Sequence, residues 1–422
     1  MRALGRARAG RTALALFTAL TASAGAALTG AAPADAVDRA SPFAPAVTAP
    51  AVPVAPGVVY EQYDLQGAQG PAHAHVLRVD LAELRVRLGL LYPGAVAARD
   101  TVSRMAAARG AVAGVNGDFF NITETQHPGV QATGASVGPA VADGRTLKAA
   151  VPNGQRFGPA LPPGTSTEDV VGVGRDHRAR LERLTFEGSL RTPETRLPLG
   201  GLNQYALPVG SIGAFTGSWG SASRARATCG TDTDRAAPCS ADTYEVTVRD
   251  GQVVATADTP GGGPIAAGTT VLVGREAGAR QLREFSLGER VRIRHRLRTT
   301  VSPDPLRFAV GGYPVLRDGR PLPGLENRTA AVRTAVGIAR GGRRLLLLTL
   351  DGAPEYRTGL TVAELAATLA DLGAAQGFNL DGGGSSALVA RDPGSGAVTA
   401  LNHPSGGAER AVPNGIGVFT TG

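Results

Sequence analysis

Between Val58 and Asp64, and again from His75 to Leu91, apolar and polar positions alternate, as in Leu77-Arg78-Val79-Asp80 and Leu84-Arg85-Val86-Arg87-Leu88. A period of two puts one set of side chains on a buried face and predicts strands. The pattern changes at Asp100, which can cap a short helix over Thr101 to Arg109. Gly110 ends that helix, and Ala111 to Val115 reads as a buried strand running into Asn116-Gly117-Asp118-Phe119-Phe120. From about Pro152 to Val301, short β-like runs such as Tyr244-Glu245-Val246-Thr247-Val248 and Val291-Arg292-Ile293-Arg294 are separated by Gly/Pro/Asp turns, with Asp250-Gly251 as a hairpin signal. Nothing helical of any length is expected there, which predicts a β-rich insertion over about 152–301.

Leu345 to Leu350 is an almost continuous apolar run ending at Asp351-Gly352. Thr361 with Glu364 makes a capping-box pattern, Val362, Leu365, Leu369 and Leu372 recur at helical spacing, and Gly373 supplies the stop. A short strand, Gln376 to Leu380, then leads into Asp381-Gly382-Gly383-Gly384-Ser385-Ser386. Strand, helix and strand at this spacing predict a βαβ crossover, with Asp351 and Asp381 emerging at the same sheet edge. The fold class expected is therefore α/β (mixed α+β): a central sheet, two pseudo-repeated helix-strand units at a cleft, and the β-rich insertion.

The pseudo-repeat is a sequence match. Gly110-Ala-Val-Ala-Gly114-Val-Asn116-Gly-Asp118 and Gly373-Ala-Ala-Gln-Gly377-Phe-Asn379-Leu-Asp381 both read Gly-Ala-x-x-Gly-apolar-Asn-x-Asp. Residues two apart on a strand share a face, so each copy presents an Asn and an Asp together, and the two copies are expected to face one cleft. Asn-x-Asp also ends strands as a plain turn former. The triple glycine after the second copy sets it apart, because a run of backbone N–H groups there could wrap an anion such as phosphate. It is neither a dinucleotide fingerprint nor a Walker loop. Ser385 lies in only a distant likeness of a nucleophile elbow, with His403 as its sole partner for a triad, and no triad is assigned.

Composition adds a compartment. Arg2, Arg6, Arg8 and Arg11 precede an apolar run to about Ala27, and small residues end in Ala34-Asp35-Ala36, which reads as a signal peptide over 1–36. The run falls short of the ~20 apolar residues a membrane span needs, so no anchor is expected after cleavage. Residues 37–57 are Ala/Pro/Val-rich and read as a disordered linker, leaving 58–422 as the functional domain. The formal charge of +8 includes the four leader arginines and Asp35, so the mature chain carries +5. Lys148 is the only lysine. The arginine excess thus looks like coding bias, and without a basic tract interleaved with aromatics no nucleic-acid partner is expected. Cys229 and Cys239, the only cysteines, are ten apart in a polar stretch of an exported chain and predict a local disulfide.

Asn116-Gly117-Asp118-Phe119-Phe120, Gly311-Gly312-Tyr313-Pro314, Arg333-Thr334-Ala335-Val336-Gly337, Asp351-Gly352, Asn379 to Ser386, and Asn402-His403-Pro404-Ser405 with Glu409-Arg410 resemble, in order and spacing, the phosphodiester glycosidase family. The resemblance runs from about Val58 to Phe419. It implies a hydrolase that removes a sugar, typically N-acetylglucosamine, from a phosphodiester in extracellular or cell-wall glycan, and a secreted protein with a glycan or sugar-phosphate substrate as partner. Glycosidic cleavage usually needs two carboxyls, for which Asp118, Asp351 and Asp381 are the candidates. Arg333 and the Gly382, Gly383, Gly384 and Ser385 amides would stabilise charge on the leaving phosphate. Asn116 and Asn379 would orient sugar hydroxyls, with Asn402, Glu409 and Arg410 completing the binding set. The oxygens of Asn116, Asp118, Asn379 and Asp381 could alternatively hold Ca²⁺ or another hard cation. A non-catalytic glycan-binding module using the same cleft is the competing function, and a structural envelope domain a third.

Overall fold

In a computed structural model of the chain, the described residues are 45–300, 302 and 304–421. The leader over 1–36 and the linker up to residue 44 lie outside them. The rest of the stretch read as linker is partly paired: Ala46–Val47 and Val52–Ala55 both lie along Val58–Gly67. Pro53 is tolerated there because Val52–Ala55 joins no second neighbour.

The expected α/β class does not hold. The molecule is mostly β, with 40% strand against 9% helix and only three α-helices, α1 (Val102–Arg109), α2 (Ala277–Arg283) and α3 (Val362–Asp371). A nine-stranded central sheet runs Ala46–Val47, Val58–Gly67, Gly70–Asp80, Arg344–Leu350, Thr334–Ile338, Gln376–Asn379, Tyr313–Arg317, Arg320–Pro321, with Val52–Ala55 added at one side. All its pairings are antiparallel. The predicted crossover through α3 exists, and Arg344–Leu350 and Gln376–Asn379 do run the same way. Thr334–Ile338 lies between them, antiparallel to both. A crossover helix fixes direction, not adjacency. The unbroken apolar run Leu345 to Leu350 misleads because this strand is covered on both faces, the condition that normally marks a parallel sheet.

Helix α3 forms where the sequence places it. Thr361 caps it and shares a reciprocal capping box with Glu364, while Val362, Leu365, Ala366 and Leu369 are buried. Gly337 and Gly377 are register partners beneath the helix. A Cβ on Gly377 would come within 2.9 Å of Leu369 Cδ1, so the glycine lets the helix lie flat on the sheet. In α1 the cap is Thr101 rather than the expected Asp100, and Gly110 closes the helix at φ 71°.

A five-stranded antiparallel sheet orders Val398–Ala400, Leu388–Arg391, Ala113–Asn116, Gly415–Thr420 and Val86–Leu91. The predicted insertion contributes most of two further sheets. One runs Arg196–Pro198, Ala179–Arg191, Asp169–Gly174, Leu306–Gly311, Ala140–Ala142, Arg145–Lys148, with Arg292–Thr299 on Ala179–Arg191. The other runs Gly201–Leu202, Ile212–Phe215, Thr269–Arg275, Thr243–Arg249, Gln252–Ala257. One hydrophobic core includes Leu347 of the central sheet, Val115 of the five-stranded one and Phe308 of the insertion's first sheet, so the insertion is packed into the body.

Candidate active site

The two halves of the pseudo-repeat belong to different sheets, and their ends are stitched together. Asp381 N–H donates to the Gly117 carbonyl at 2.9 Å. Asn116 Nδ2 donates to the Asp381 carbonyl at 2.7 Å, and its Oδ1 accepts from the Thr334 hydroxyl at 2.8 Å and Ala387 N–H at 3.1 Å. Asn116 is thus a fully buried clasp between the Arg-Thr-Ala-Val-Gly element and both Asn-x-Asp segments.

Asp118 is also buried. Its carboxylate accepts N–H from Phe119 at 2.8 Å and from Gly138 at 2.6 Å. Glycines make room for it: a Cβ on Gly311 would sit 2.6 Å from Asp118 Oδ2, and one on Gly138 would sit 2.7 Å from Gly311 Cα. Behind this pair the ammonium of Lys148, itself buried, donates to the carbonyls of Ala149 at 2.7 Å, Val137 at 3.2 Å and Gly138. Burial pushes the Lys148 amine down to about 7, with Asp118 pulling the other way. Burial likewise raises Asp118, opposed by Lys148 and the two amides.

Asp381 differs from Asp118 and Asp351 in that the residue as a whole is not fully buried. The residue is half-buried while its carboxyl is enclosed by Ser385, which hydrogen-bonds it, and by Gly382 N–H at 3.0 Å. Burial pushes its pKa up to about 7; Ser385, Gly382 and Arg410 oppose the shift and the Asp118 charge adds to it. Arg410 Nη1 reaches Ser385 Oγ at 3.3 Å.

The glycine loop does not form the expected anion-wrapping run of free amides. Gly383–Ser385 is a 3-10 turn. The N–H groups of Gly382, Gly383, Ser385 and Ser386 go to the Asp381 carboxylate and to the carbonyls of Val332, Gly382 and Gly383. The glycines are needed for close approach instead: added Cβ atoms would meet the Val332 carbonyl at 2.6 Å from Gly382 and Arg410 Nη2 at 2.4 Å from Gly384.

Beside Asp381 stands a group of buried polar atoms without protein partners of good geometry. Tyr313 and Asn379 are register partners. Arg156 Nη2 is buried without a hydrogen bond, and the buried Tyr313 hydroxyl and Asn379 amide touch each other but have no partner of good geometry. Arg156 lies against the stacked Phe119 and Tyr313 rings, 4.7 and 5.1 Å from their centroids, and its charge acts on Asp118 and Asp381. Its Nη1 bonds the Pro159 carbonyl, and no carboxylate ion-pairs with it among the described residues. Asp118 and Asp381 offset its charge without bonding it, which leaves the buried Nη2 donor open to meet a further anion.

Asp351 lies two strands along the same edge, roughly 10 Å away at ordinary strand spacing. Its carboxylate is saturated: His75 Nε2 at 2.8 Å, His403 Nδ1 at 3.0 Å, His403 N–H at 3.1 Å and Ala353 N–H at 2.7 Å. Burial would raise its pKa, yet these contacts together hold it far below the usual carboxylate range. Tyr60 extends the chain with a 2.6 Å contact to His75 Nδ1. Arg333 is buried with its guanidinium on the Leu360 and Thr329 carbonyls, at 3.1 and 2.8 Å, and makes no ion pair with Glu409. Glu409 accepts Ser103 N–H at 3.1 Å in the first turn of α1. Asn402 bonds Leu388 N–H and the Ser386 carbonyl at 2.8 and 3.1 Å.

The oxygen set proposed for a hard cation fits poorly. Such ions want six or more oxygens, whereas Asn116 Oδ1 and both Asp118 oxygens already accept hydrogen bonds. The His127, Cys229 and Cys239 cluster is no metal site either, because the cysteines form the expected disulfide. A cleft of about 580 Å³ lined by Asn153, Glu168, Phe186 and Asp232 includes none of these carboxylates.

Arg156 and the His75 and Tyr60 pair read in sequence as ordinary polar positions on loops and strands, with nothing to mark them. Lys148 carried one signal, as the lone lysine in an arginine-rich chain, but its burial did not follow from that.

Residues 242–419 match the family model for phosphodiester glycosidase. The match begins inside the predicted insertion, and Asp118, Lys148 and Arg156 lie before it. No curated protein sequence matches the chain. Among solved structures, a Synechocystis protein superposes with TM-score 0.66 at 20% identity, over 90% of this chain; the chain spans only 64% of that protein. A Burkholderia pseudomallei K96243 protein gives TM-score 0.63 at 24% identity, over 83% of this chain and 74% of its own. The zebrafish N-acetylglucosamine-1-phosphodiester alpha-N-acetylglucosaminidase catalytic domain, auto-inhibited by its pro-peptide, is a looser likeness, with TM-score 0.43 at 14% identity over 90% and 89% of the two chains.

Proposed function

We propose that this chain, with its phosphodiester glycosidase domain over residues 242–419, hydrolyses the bond between a sugar's anomeric carbon and the oxygen of a phosphodiester, using Asp381 as the catalytic carboxyl. The observation that carries the reading is Asp381 itself. It is a carboxyl raised to about 7 by burial, beside the Asn379 amide, the Tyr313 hydroxyl and Arg156 Nη2, whose hydrogen-bonding capacity the protein leaves largely unused. A group with that pKa can both lose and regain a proton at neutral pH, as general acid–base work requires. Water adds to the anomeric carbon, the carbon–oxygen bond to phosphate breaks, and the phosphate monoester leaves with the electron pair. Deprotonated Asp381 takes the proton from water. Arg156 meets the charge growing on the departing phosphate, which in a water-poor site is a large effect. Asn379 and Tyr313 hydrogen-bond the sugar. Asp118 is enclosed by Gly138, Gly311 and Lys148, and acts by setting the charge that Asp381 feels.

The substrate we propose is an N-acetylhexosamine phosphodiester in extracellular or cell-wall glycan, and the protein is secreted. The leader sequence supports the export, and the Cys229–Cys239 disulfide agrees with an oxidising compartment. The test is sugar release from methyl N-acetylglucosamine phosphate by the mature protein and by Asp381→Asn, with and without a chelator. Release by the wild type, insensitive to chelator and lost in the folded variant, is expected. Glycan binding with no release from any phosphodiester would replace this reading with the binding-module one.

A further inference from the structure

The arm built by Ala179–Arg191, Arg196–Pro198 and Arg292–Thr299 has two unlike faces. Phe186, Leu190, Leu197, Ile293 and Leu297 pack into one of the hydrophobic cores. The alternate positions carry arginine to solvent. Register places Arg196 opposite Arg191 and Arg191 opposite Arg292, so three guanidinium side chains stand in a row across three strands. Arg294, Arg296 and Arg298 continue that face along the outer strand, and all six arginines are exposed. The far end is partly offset, since the single carboxylate of Glu187 pairs with Arg296 at 2.7 Å and with Arg298 at 2.8 Å. The near end is not: none of Arg191, Arg196, Arg292 and Arg294 has a carboxylate within 4.0 Å among the described residues.

Coding bias accounts for arginine in place of lysine but not for this placement. Like charges directly opposite on a sheet destabilise it, so the row weakens the fold unless something anionic covers it. We propose that this arginine face binds a linear anionic polymer carrying a phosphodiester in each repeat, holding it on an arm separate from the hydrolytic site. Neighbouring guanidiniums lie about 5 Å apart across strands and about 7 Å along them, and each offers a planar fork to a phosphate. The remaining residues of the face, Thr185, Ser189 and Pro198, include no aromatic on which a base could stack, which disfavours single-stranded nucleic acid. They include no large apolar group to enter a bilayer.

The experiment measures binding of the mature protein to immobilised poly(glycerol phosphate) across a salt series, without reference to hydrolysis. The comparison is Arg191→Gln/Arg196→Gln/Arg292→Gln/Arg294→Gln. Because these substitutions remove repulsion, the variant should melt no lower than wild type and hydrolyse a small soluble phosphodiester equally well. Its affinity at low salt should fall at least about tenfold, and a log–log salt slope near −3 for four released counterions should flatten. Arg296→Gln/Arg298→Gln, whose arginines share the Glu187 carboxylate, should have the smaller effect. Equal binding by the quadruple variant, absence of binding by wild type, or tighter binding to an oligodeoxynucleotide or to anionic phospholipid vesicles would each overturn the proposal.

Discussion

Asp381 and Asp351 are both aspartates at strand ends on one sheet edge, and their surroundings push them in opposite directions. Asp381 is raised to about 7 by burial, so between about pH 4 and 7 the folded chain holds a proton that the unfolded chain has released. Stability therefore falls as pH rises through that window. Asp381→Asn should flatten this dependence and gain stability relative to wild type near pH 8, measured as urea midpoints across pH. In activity the same group should give an inflection in kcat/KM near pH 7, and Asp381→Asn should lower kcat at least about 100-fold with the fold intact. Asp351 shows the reverse. His75, His403 and two amides hold its pKa down, so it stabilises the fold above the ordinary carboxylate range and that contribution disappears in strong acid. Asp351→Ala strips buried His75 Nε2 of its acceptor while Tyr60 keeps Nδ1, and should cost about 1 to 3 kcal/mol, read by chemical denaturation.

Elements set the site through close backbone approach. Gly311 ends the strand Leu306–Gly311, Gly138 lies in the bend just before the adjacent strand Ala140–Ala142, and together they leave just enough space for the Asp118 carboxylate. Gly311→Ala, whose Cβ would lie 2.6 Å from Asp118 Oδ2, should lose most activity while far-ultraviolet circular dichroism stays unchanged. The segment bearing Arg156 is tied to the disulfide hairpin: Arg235 Nη1 donates to the Arg156 carbonyl at 2.7 Å, and Gly154 N–H donates to the Asp232 carbonyl at 3.0 Å. Cys229→Ser/Cys239→Ser should therefore weaken substrate binding, raising KM more than it lowers kcat, besides losing roughly 2 to 3 kcal/mol of stability. Some of this was legible in sequence. The capping box and stripe of α3, the paired Asn-x-Asp copies and the cysteine spacing each rest on local patterns that chemistry reads directly. Strand neighbours do not: Thr334–Ile338 slips between two strands that α3 joins, and only tertiary packing decides that. Arg156 was illegible because a loop arginine becomes a site residue only through the aromatic rings that Phe119 and Tyr313 bring from distant segments.

Across the whole molecule, the site is where separate sheets meet. Asp381 continues from the central sheet, Asn116 and Asp118 from the five-stranded one, Gly311 belongs to the sheet shared with the insertion, and Gly138 leads into it. The region that matches the family model is therefore not a self-sufficient body. Arg344–Leu350 pairs with Gly70–Asp80, and Gly415–Thr420 lies between Val86–Leu91 and Ala113–Asn116. A fragment of residues 242–422 should show no cooperative unfolding transition, whereas the mature chain should. Hydrolysis in ¹⁸O-labelled water followed by mass spectrometry of both products shows which bond breaks. Label in the sugar and none in methyl phosphate is the predicted result; label in the phosphate would make the enzyme a phosphodiesterase and contradict the account.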